Sequence, residues 1–231
     1  MTSVLPAVAF RLRDFSARQA GNDPLLTRQL VASPDPLGWL PDAVVHDLLV
    51  AAFEQDRFPV GDAELVVLEN FPGNAAQAAC LMDVLWRARV ALPARLGAVE
   101  LVAPDAVVWR RAATRRACPG CEPDERGDPH LPAVESPERP GRCASCGTAL
   151  QPRKGDAPAM LARRLARFRN NIDAIRAAFF AEGIDVYRID ATAPLSSVGQ
   201  EAQRHCQRLL RGADESHAGT RPDAIPARTC S

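Results

Sequence analysis

Four cysteines constrain this chain more than any other residues. Cys118-Pro-Gly-Cys121 and Cys143-Ala-Ser-Cys146 are two C-x-x-C pairs separated by residues 122–142. Each pair makes a tight turn that aims two sulfurs at one point. Four thiolates at roughly 2.3 Å fill the tetrahedral shell of Zn²⁺ and leave no open position. A closed site is structural, so the spacing predicts a zinc-stapled module with no zinc chemistry. Residues 117–157, which hold both pairs, are rich in Pro, Gly, Asp and Glu. They carry too little apolar surface for a core of their own, which is why they need a metal. The remaining Cys80, Cys206 and Cys230 read as a core, a helix and a tail residue. His130 reads as a loop histidine, since four thiolates already complete the site.

The flanks of this insertion alternate between two periodicities. Residues 63–68, 97–102 and 185–190 are short runs rich in valine and leucine or isoleucine, as expected of buried parallel strands. Between them lie helical patterns. Residues 41–54 open with Pro41 and carry Val44, Val45, Leu48, Leu49, Ala52 and Phe53. Residues 75–89 carry Ala78, Leu81, Met82, Leu85 and Trp86. The longest helix is expected over 158–181, with Leu161, Leu165, Phe168, Ile172, Ile175 and Phe179 in one core-facing stripe. Its other face, with Arg163, Arg164, Arg167, Arg169 and Arg176, is expected to be mostly solvated. Strands alternating with helices predict an α/β fold with a parallel sheet.

Charge narrows the function. The chain has 28 basic and 28 acidic residues in 231, for a formal net charge of zero. That balance argues against general nucleic-acid binding. The knuckle region has few bases and lacks the aromatics that stack on nucleobases. Lys154 is the single lysine, so every other cationic site is arginine. No apolar run reaches the roughly 18 residues of a membrane helix. Residues 1–10 lack the n- and h-regions of a signal peptide. A soluble cytoplasmic protein, without membrane or nucleic-acid partners, is the expectation.

From about Ala32 to Leu210 several segments match one family in order. Leu37-Gly-Trp-Leu-Pro-Asp-Ala-Val-Val45 is similar to G-x-L-V-P-D-x-V-V. Leu68-Glu-Asn-Phe-Pro-Gly-Asn-Ala-Ala-Gln77 is similar to L-D-G-F-P-R-x-x-x-Q. Ala103-Pro-Asp105 with Arg111, Arg115 and Arg116 precedes the cysteine knuckles, and Leu150-Gln-Pro-Arg-Lys-Gly-Asp156 follows them. Arg163-Arg-Leu165 opens the long helix, and Ile189-Asp-Ala-Thr192 ends the last strand. The ordered set resembles adenylate kinases with a zinc-bearing lid.

The resemblance implies a P-loop-kinase-like parallel sheet flanked by helices, with a small zinc-bound lid insertion. It implies phosphoryl transfer between ATP and AMP, which is positioning plus charge neutralisation. Arg115, Arg153 and Arg164 would converge on the transferring phosphates when the lid closes. Asp156 would help hold these arginines, Arg111 would border the ATP base, and Gln77 would read the AMP base. Implied cofactors are structural Zn²⁺ at Cys118, Cys121, Cys143 and Cys146, and Mg²⁺ accompanying the nucleotide if the chain is active.

Departures from the family pattern qualify the activity. The 231 residues contain no G-x-x-x-x-G-K-[ST] loop, and Lys154 sits at the lid exit instead. The family's first strand and helix have no counterpart here. Phe10-Arg-Leu-Arg-Asp-Phe-Ser-Ala-Arg18 is the nearest match to H-x-S-T-G-D-x-L-R, which leaves Arg13 or Arg18 to stand in for an AMP-phosphate arginine. Gly73 replaces the F-P-R arginine, and Glu69-Asn70 replaces Asp-Gly. One phosphate-stabilising arginine can be worth about 10³–10⁵ in rate, so a degenerate enzyme with weak or absent transfer is expected. An active nucleoside monophosphate kinase and a zinc-stapled protein-interaction module are the alternatives. The expected organisation is a truncated core and NMP-binding region over 1–111, a lid over 112–157, core helices and the last strand over 158–211, and a disordered tail over 212–231. Residues 4–12, a partner protein, or chain preceding Met1 is expected to complete the sheet.

Overall fold

The structure is a computed structural model. It describes residues 6–21, 25–28, 35, 39–55, 57–58, 63–88, 96–121 and 132–215. Strand β1 (Ala7–Phe10) leads into helix α1 (Leu12–Ala20). Helix α2 (Asp42–Leu49) widens into a π turn (Val50–Glu54), followed by β2 (Leu65–Leu68) and α3 (Ala75–Arg87). Then come β3 (Ala98–Val102), α4 (Asp105–Thr114), β4 (Arg116–Ala117), β5 (Gln151–Pro152) and the long α5 (Pro158–Ala181). Strand β6 (Val186–Asp190) and α6 (Leu195–Glu215) complete the order. This is the expected α/β arrangement of parallel strands and flanking helices, of the P-loop-kinase type.

The chain forms two compact units. The first comprises residues 1–99, 170–187 and 201–231. In it β1 pairs in parallel with β2, Ala7 opposite Leu65 and Phe10 opposite Leu68. The N-terminal apolar run thus supplies a strand, as one of the sequence alternatives required. Phe10, fully buried, is the hub of the core and meets Phe58 edge-on at 5.0 Å, Phe53 at 5.2 Å and Phe15 at 5.5 Å. The π turn, closed by Gln55 N–H to Val50 O at 3.0 Å, carries Phe53, and Phe58 follows soon after it, so both rings pack in the same core. Burying one such ring contributes about 2–3 kcal/mol. Cys80 packs in this core, as expected, together with Val44, Val45, Leu48, Leu49 and Leu81.

The second unit comprises residues 100–169 and 188–200. Strands β3 and β6 pair with each other. Ala98 N–H donates to Asp185 O (3.2 Å) and Ala191 N–H to Val102 O (2.8 Å), so both strands advance in the same direction. Glu100 is buried on β3 and is paired with Arg188 of β6 at 3.5 Å. Among the described residues, β2 and β3 each have one strand neighbour, and Val67, Val99 and Leu101 are exposed.

Three expectations need correction. The α5 stripe buries Leu161, Ile175 and Phe179 but leaves Phe168 47% exposed. Phe168 belongs to neither described core cluster, the second of which takes Ile175 and Phe179 from further along the helix. Trp86 is 69% exposed because it falls in the last turn of α3, past the packed residues Ala78, Leu81 and Met82. Helix α6 continues to Glu215, so the tail cannot start at 212. Residues 216–231 with Cys230, residues 4–5, and residues 122–131 with His130 lie outside the described residues. No helix among the described residues is long and apolar enough to cross a membrane.

In the first unit, α6 docks His205 flat on Tyr187, with ring centroids 4.6 Å apart and planes 10° from parallel. Arg208 covers the Tyr187 ring at 5.2 Å, and Tyr187 Oη donates to Glu201 at 2.9 Å. His205 Nε2 is buried without a hydrogen-bond partner. Desolvation, then the Arg208 charge, lowers the His205 pKa below 6.5, against a weaker opposing pull from Asp185. The folded state therefore prefers neutral imidazole, while the unfolded chain takes up a proton near pH 6.5. Stability is present above pH 6.5 and is lost as pH falls through the lowered folded value. The unfolding midpoint should drop between pH 7.5 and pH 5.5, and His205→Gln should remove that part of the slope. An unchanged slope in His205→Gln would show that another group carries it.

Candidate functional site

An antiparallel rung determines what meets what in the second unit. Arg116 lies opposite Pro152, and Ala117 opposite Gln151. Antiparallel pairing makes the residue before β4 a neighbour of the residue after β5. Arg115, in extended conformation at the end of α4, thereby reaches the 3₁₀ turn Lys154–Asp156. Helix α5 starts immediately after that turn and presents Arg164 to the same place. An ion pair between Arg169 of α5 and Asp105 of α4 ties the two helices further along.

The centre of this cluster is Asp156, whose side chain is 4% exposed. Arg115 grips it with both arms, Nε to Oδ2 at 2.7 Å and Nη2 to Oδ1 at 2.5 Å. Arg153 Nη1 stands 3.6 Å from Oδ1, and Arg164 Nη1 stands 3.9 Å from it. Arg164 Nη1 also donates to Gly155 O at 3.1 Å. Three guanidiniums facing one carboxylate leave two positive charges in excess. Such a group suits multidentate binding of an anion, because planar guanidinium forks match carboxylate and phosphate oxygens. A groove of about 490 Å³ adjoins the cluster, lined by Trp109, Ala112, Ala113, Arg153, Lys154 and Asp156. Trp109 and Lys154 were not among the residues expected at a site. The signal for Trp109 was a tryptophan one turn before Ala112 and Ala113, which leaves it open space.

Arg111 lies elsewhere in the same unit. It approaches Thr192 O at 3.5 Å, beside the end of β6. There the Thr192 hydroxyl and N–H both bond Asp190, at 2.7 and 2.8 Å. Those bonds, followed by the Arg111 charge, hold the Asp190 carboxyl below its ordinary value.

The four cysteines come together. Cys118 Sγ lies 3.3 Å from Cys146 Sγ, Cys121 Sγ lies 3.6 Å from Cys143 Sγ, and all four ligand atoms lie within 4.8 Å of one another. Metal–sulfur bonds of 2.3 Å in a tetrahedron put sulfurs about 3.8 Å apart, so this set can hold one metal ion. The second knuckle is closed by Gly147 N–H to Cys143 O at 2.9 Å, with Gly147 at φ +74°. A glycine takes that left-handed turn without strain. Hydrogen bonds to the Thr148 hydroxyl and N–H bring the Cys146 thiol down to about 6. The N–H groups of Cys146 and Ser145 lower Cys143 as well. Hydrogen bonds from the neighbouring sulfurs, Cys146 first, push the metal-free Cys121 thiol up to about 12.

In the first unit, Gln77 is buried in the first turn of α3. Its Oε1 accepts from Gly73 N–H (2.9 Å) and its Nε2 donates to Asp42 Oδ1 (2.8 Å). Asn74 caps α3 by accepting from Gln77 N–H at 2.8 Å and donates Nδ2 to Asp42 at 3.0 Å. Asp42 was not anticipated as the anchor of this network. Its position at the N-terminus of α2 was the available signal. Glu69 is held by Arg11, Nε to Oε2 at 2.7 Å and Nη2 to Oε1 at 3.3 Å.

Comparison with protein-family models gives no match. Among curated proteins, the chain is 33% identical over 156 residues to the adenylate kinase of Salinispora tropica, spanning 67% of this chain and 68% of that protein. It is 25% identical over 190 residues to the adenylate kinase of Thermococcus kodakarensis, spanning 82% of this chain and 78% of that one.

Proposed function

The chain belongs to the adenylate kinase family, and from that premise we propose that it binds ATP-, ADP- or AMP-type nucleotides but transfers phosphoryl groups weakly or not at all. The observation that carries the binding is the convergence of Arg115, Arg153 and Arg164 on Asp156. On this reading their excess positive charge receives a polyphosphate, and Asp156 holds the forks in place until it arrives. Arg111 borders the base. Residues 112–157 act as the lid, stapled by structural Zn²⁺ at Cys118, Cys121, Cys143 and Cys146. Residues 1–111 and 158–211 act as the core. Mg²⁺ enters with the nucleotide. A cytoplasmic setting fits, because it supplies nucleotides and keeps thiols reduced.

The degeneracy rests on the acceptor side. Gly73 offers no guanidinium, and the Gln77 amide is bonded to Gly73 and Asp42. Reading a base would require Gln77 to give up those bonds. A protein partner that adds a strand is a second reading, favoured by the single strand neighbours of β2 and β3 and by exposed Val67, Val99 and Leu101.

The test compares zinc-loaded protein with Arg164→Ala in two assays. ATP binding by calorimetry should weaken roughly 10- to 100-fold in the variant, as for loss of a charged hydrogen bond. ATP formation from ADP and Mg²⁺ should stay at the same background in both. ATP formation by wild type and not by the variant would make the chain an active kinase. Retained fold and zinc without nucleotide binding would favour the interaction module.

A further inference from the structure

The groove beside Asp156 has two apolar walls, one from each end of the insertion. Trp109, Ala112 and Ala113 line one, and Pro152, Ala157 and Pro158 line the other. On α4 the first three are spaced i, i+3 and i+4, so they share one helix face. Arg111 lies about 200° around the helix from Trp109 at 3.6 residues per turn. It reaches Thr192 O instead. The groove and Arg111 are therefore on opposite sides of α4.

Trp109 is the one large side chain in these walls. The others are alanine and proline, so the indole borders open space and Trp109 stays 37% exposed. An aromatic wall among small residues leaves room for a flat ring to stack. The volume of about 490 Å³ is that of a small-molecule site, where roughly 300–1,000 Å³ is usual.

The polar edge of the groove is cationic. Lys154, the one lysine of the chain, lines it and makes no ion pair among the described residues. The carboxylate on this edge, Asp156, is already gripped by both arms of Arg115. Helix α5 begins at Pro158 with no acid in its first turn, so its positive end adds to the same potential. An anion complements this edge, and a cation does not.

We propose that the groove is a second binding site, for a small planar aromatic anion whose ring stacks on Trp109 and whose charge meets Lys154. It is separate from the nucleotide site and does not depend on that reading. Its walls come from residues before β4 and after β5, so an occupant also ties the two ends of the insertion together.

The test is calorimetric titration of zinc-loaded full-length protein with naphthalenesulfonate and with its neutral analogue, naphthalenemethanol. Wild type should prefer the sulfonate by about three- to fivefold, the worth of one exposed charge pair. Lys154→Gln should erase that preference. Trp109→Ala should weaken sulfonate binding by about tenfold, as for loss of a stacking partner, and Trp109→Phe should retain most of it. Ala113→Leu, which fills the groove and keeps Trp109 and Lys154, should weaken it as well. Arg111→Ala and Arg164→Ala should bind the sulfonate as wild type does. Unchanged sulfonate binding in both Trp109→Ala and Ala113→Leu would overturn the proposal. So would no sulfonate binding by wild type, or equal binding of the two probes. Loss of sulfonate binding in Arg111→Ala or Arg164→Ala would place the probe in the nucleotide site and overturn it too.

Discussion

Chelating the metal from the four-cysteine cluster is expected to unfold the insertion around it. Among the described residues there, few are buried: Ala117, Cys118, Ser136 and Cys143. Among the described residues its backbone pairing is the two-residue rung of β4 and β5, the isolated bridges Glu135–Cys143 and Arg142–Ala149, and a few turn and cross-segment bonds such as Ala133 N–H to Arg116 O and Ala144 N–H to Val134 O, each worth only about 0.5–1.5 kcal/mol net. Nothing in that inventory offsets the entropy of ordering the segment, roughly 1–2 kcal/mol per residue. A structural zinc ion contributes on the order of 10 kcal/mol in small metal-dependent modules. One equivalent of zinc should therefore be released as amide protection over residues 132–150 disappears. The loss should extend to Arg115 and Arg153, which flank β4 and β5, and so weaken ATP binding. Cys143→Ser should reproduce the result without chelator. Full amide protection in metal-free protein would show that the segment folds by other means.

Removing the carboxylate of Asp156 is the second large perturbation. Its side chain is 4% exposed and accepts both arms of Arg115, with Arg153 and Arg164 close by. Asp156→Ala would leave three guanidiniums facing one another. Breaking a buried ion pair typically costs about 3–5 kcal/mol. The lower end applies here, about 3 kcal/mol, because Arg115 and Arg164 remain 31% and 38% exposed and keep some water. Urea unfolding should register that loss. Asp156→Asn, which keeps an acceptor but not the charge, should fall between wild type and alanine. Because repulsion among the arginines drives the effect, 0.5 M sodium chloride should recover part of it. A urea midpoint unchanged in Asp156→Ala would mean that the arginines are held by something other than this carboxylate.

Much of this arrangement was legible from the residues. The short apolar runs located β2, β3 and β6, and the period-3.6 patterns located α2, α3 and α5, in the last case to the residue. These elements are long or strongly patterned, so local sequence decides them. The ordered motifs named the arginines that meet at Asp156, and the C-x-x-C spacing named the four cysteines that come together. Less was legible where a partner is distant in sequence. Nothing in the run 39–42 announced that Trp39 would press on Gly73 or that Asp42 would anchor Gln77. Nor did Glu69 announce its pairing with Arg11, 58 residues away.

The sequence by itself determined the α/β alternation, the four thiolates and the arginine-only cationic chemistry, because each is written in residue type and short-range spacing. The tertiary structure decided which of these groups remain free to act. Asp156 is buried among three arginines because β4 and β5 run antiparallel and bring the two ends of the insertion together. Gln77 is occupied because α2 carries Asp42 to the first turn of α3. At position 73 the Trp39 ring, 34 residues earlier (73 − 39 = 34), stands 2.1 Å from where a Cβ would lie. Contacts of this kind depend on how elements pack, and no local pattern encodes a neighbour that the fold has yet to supply.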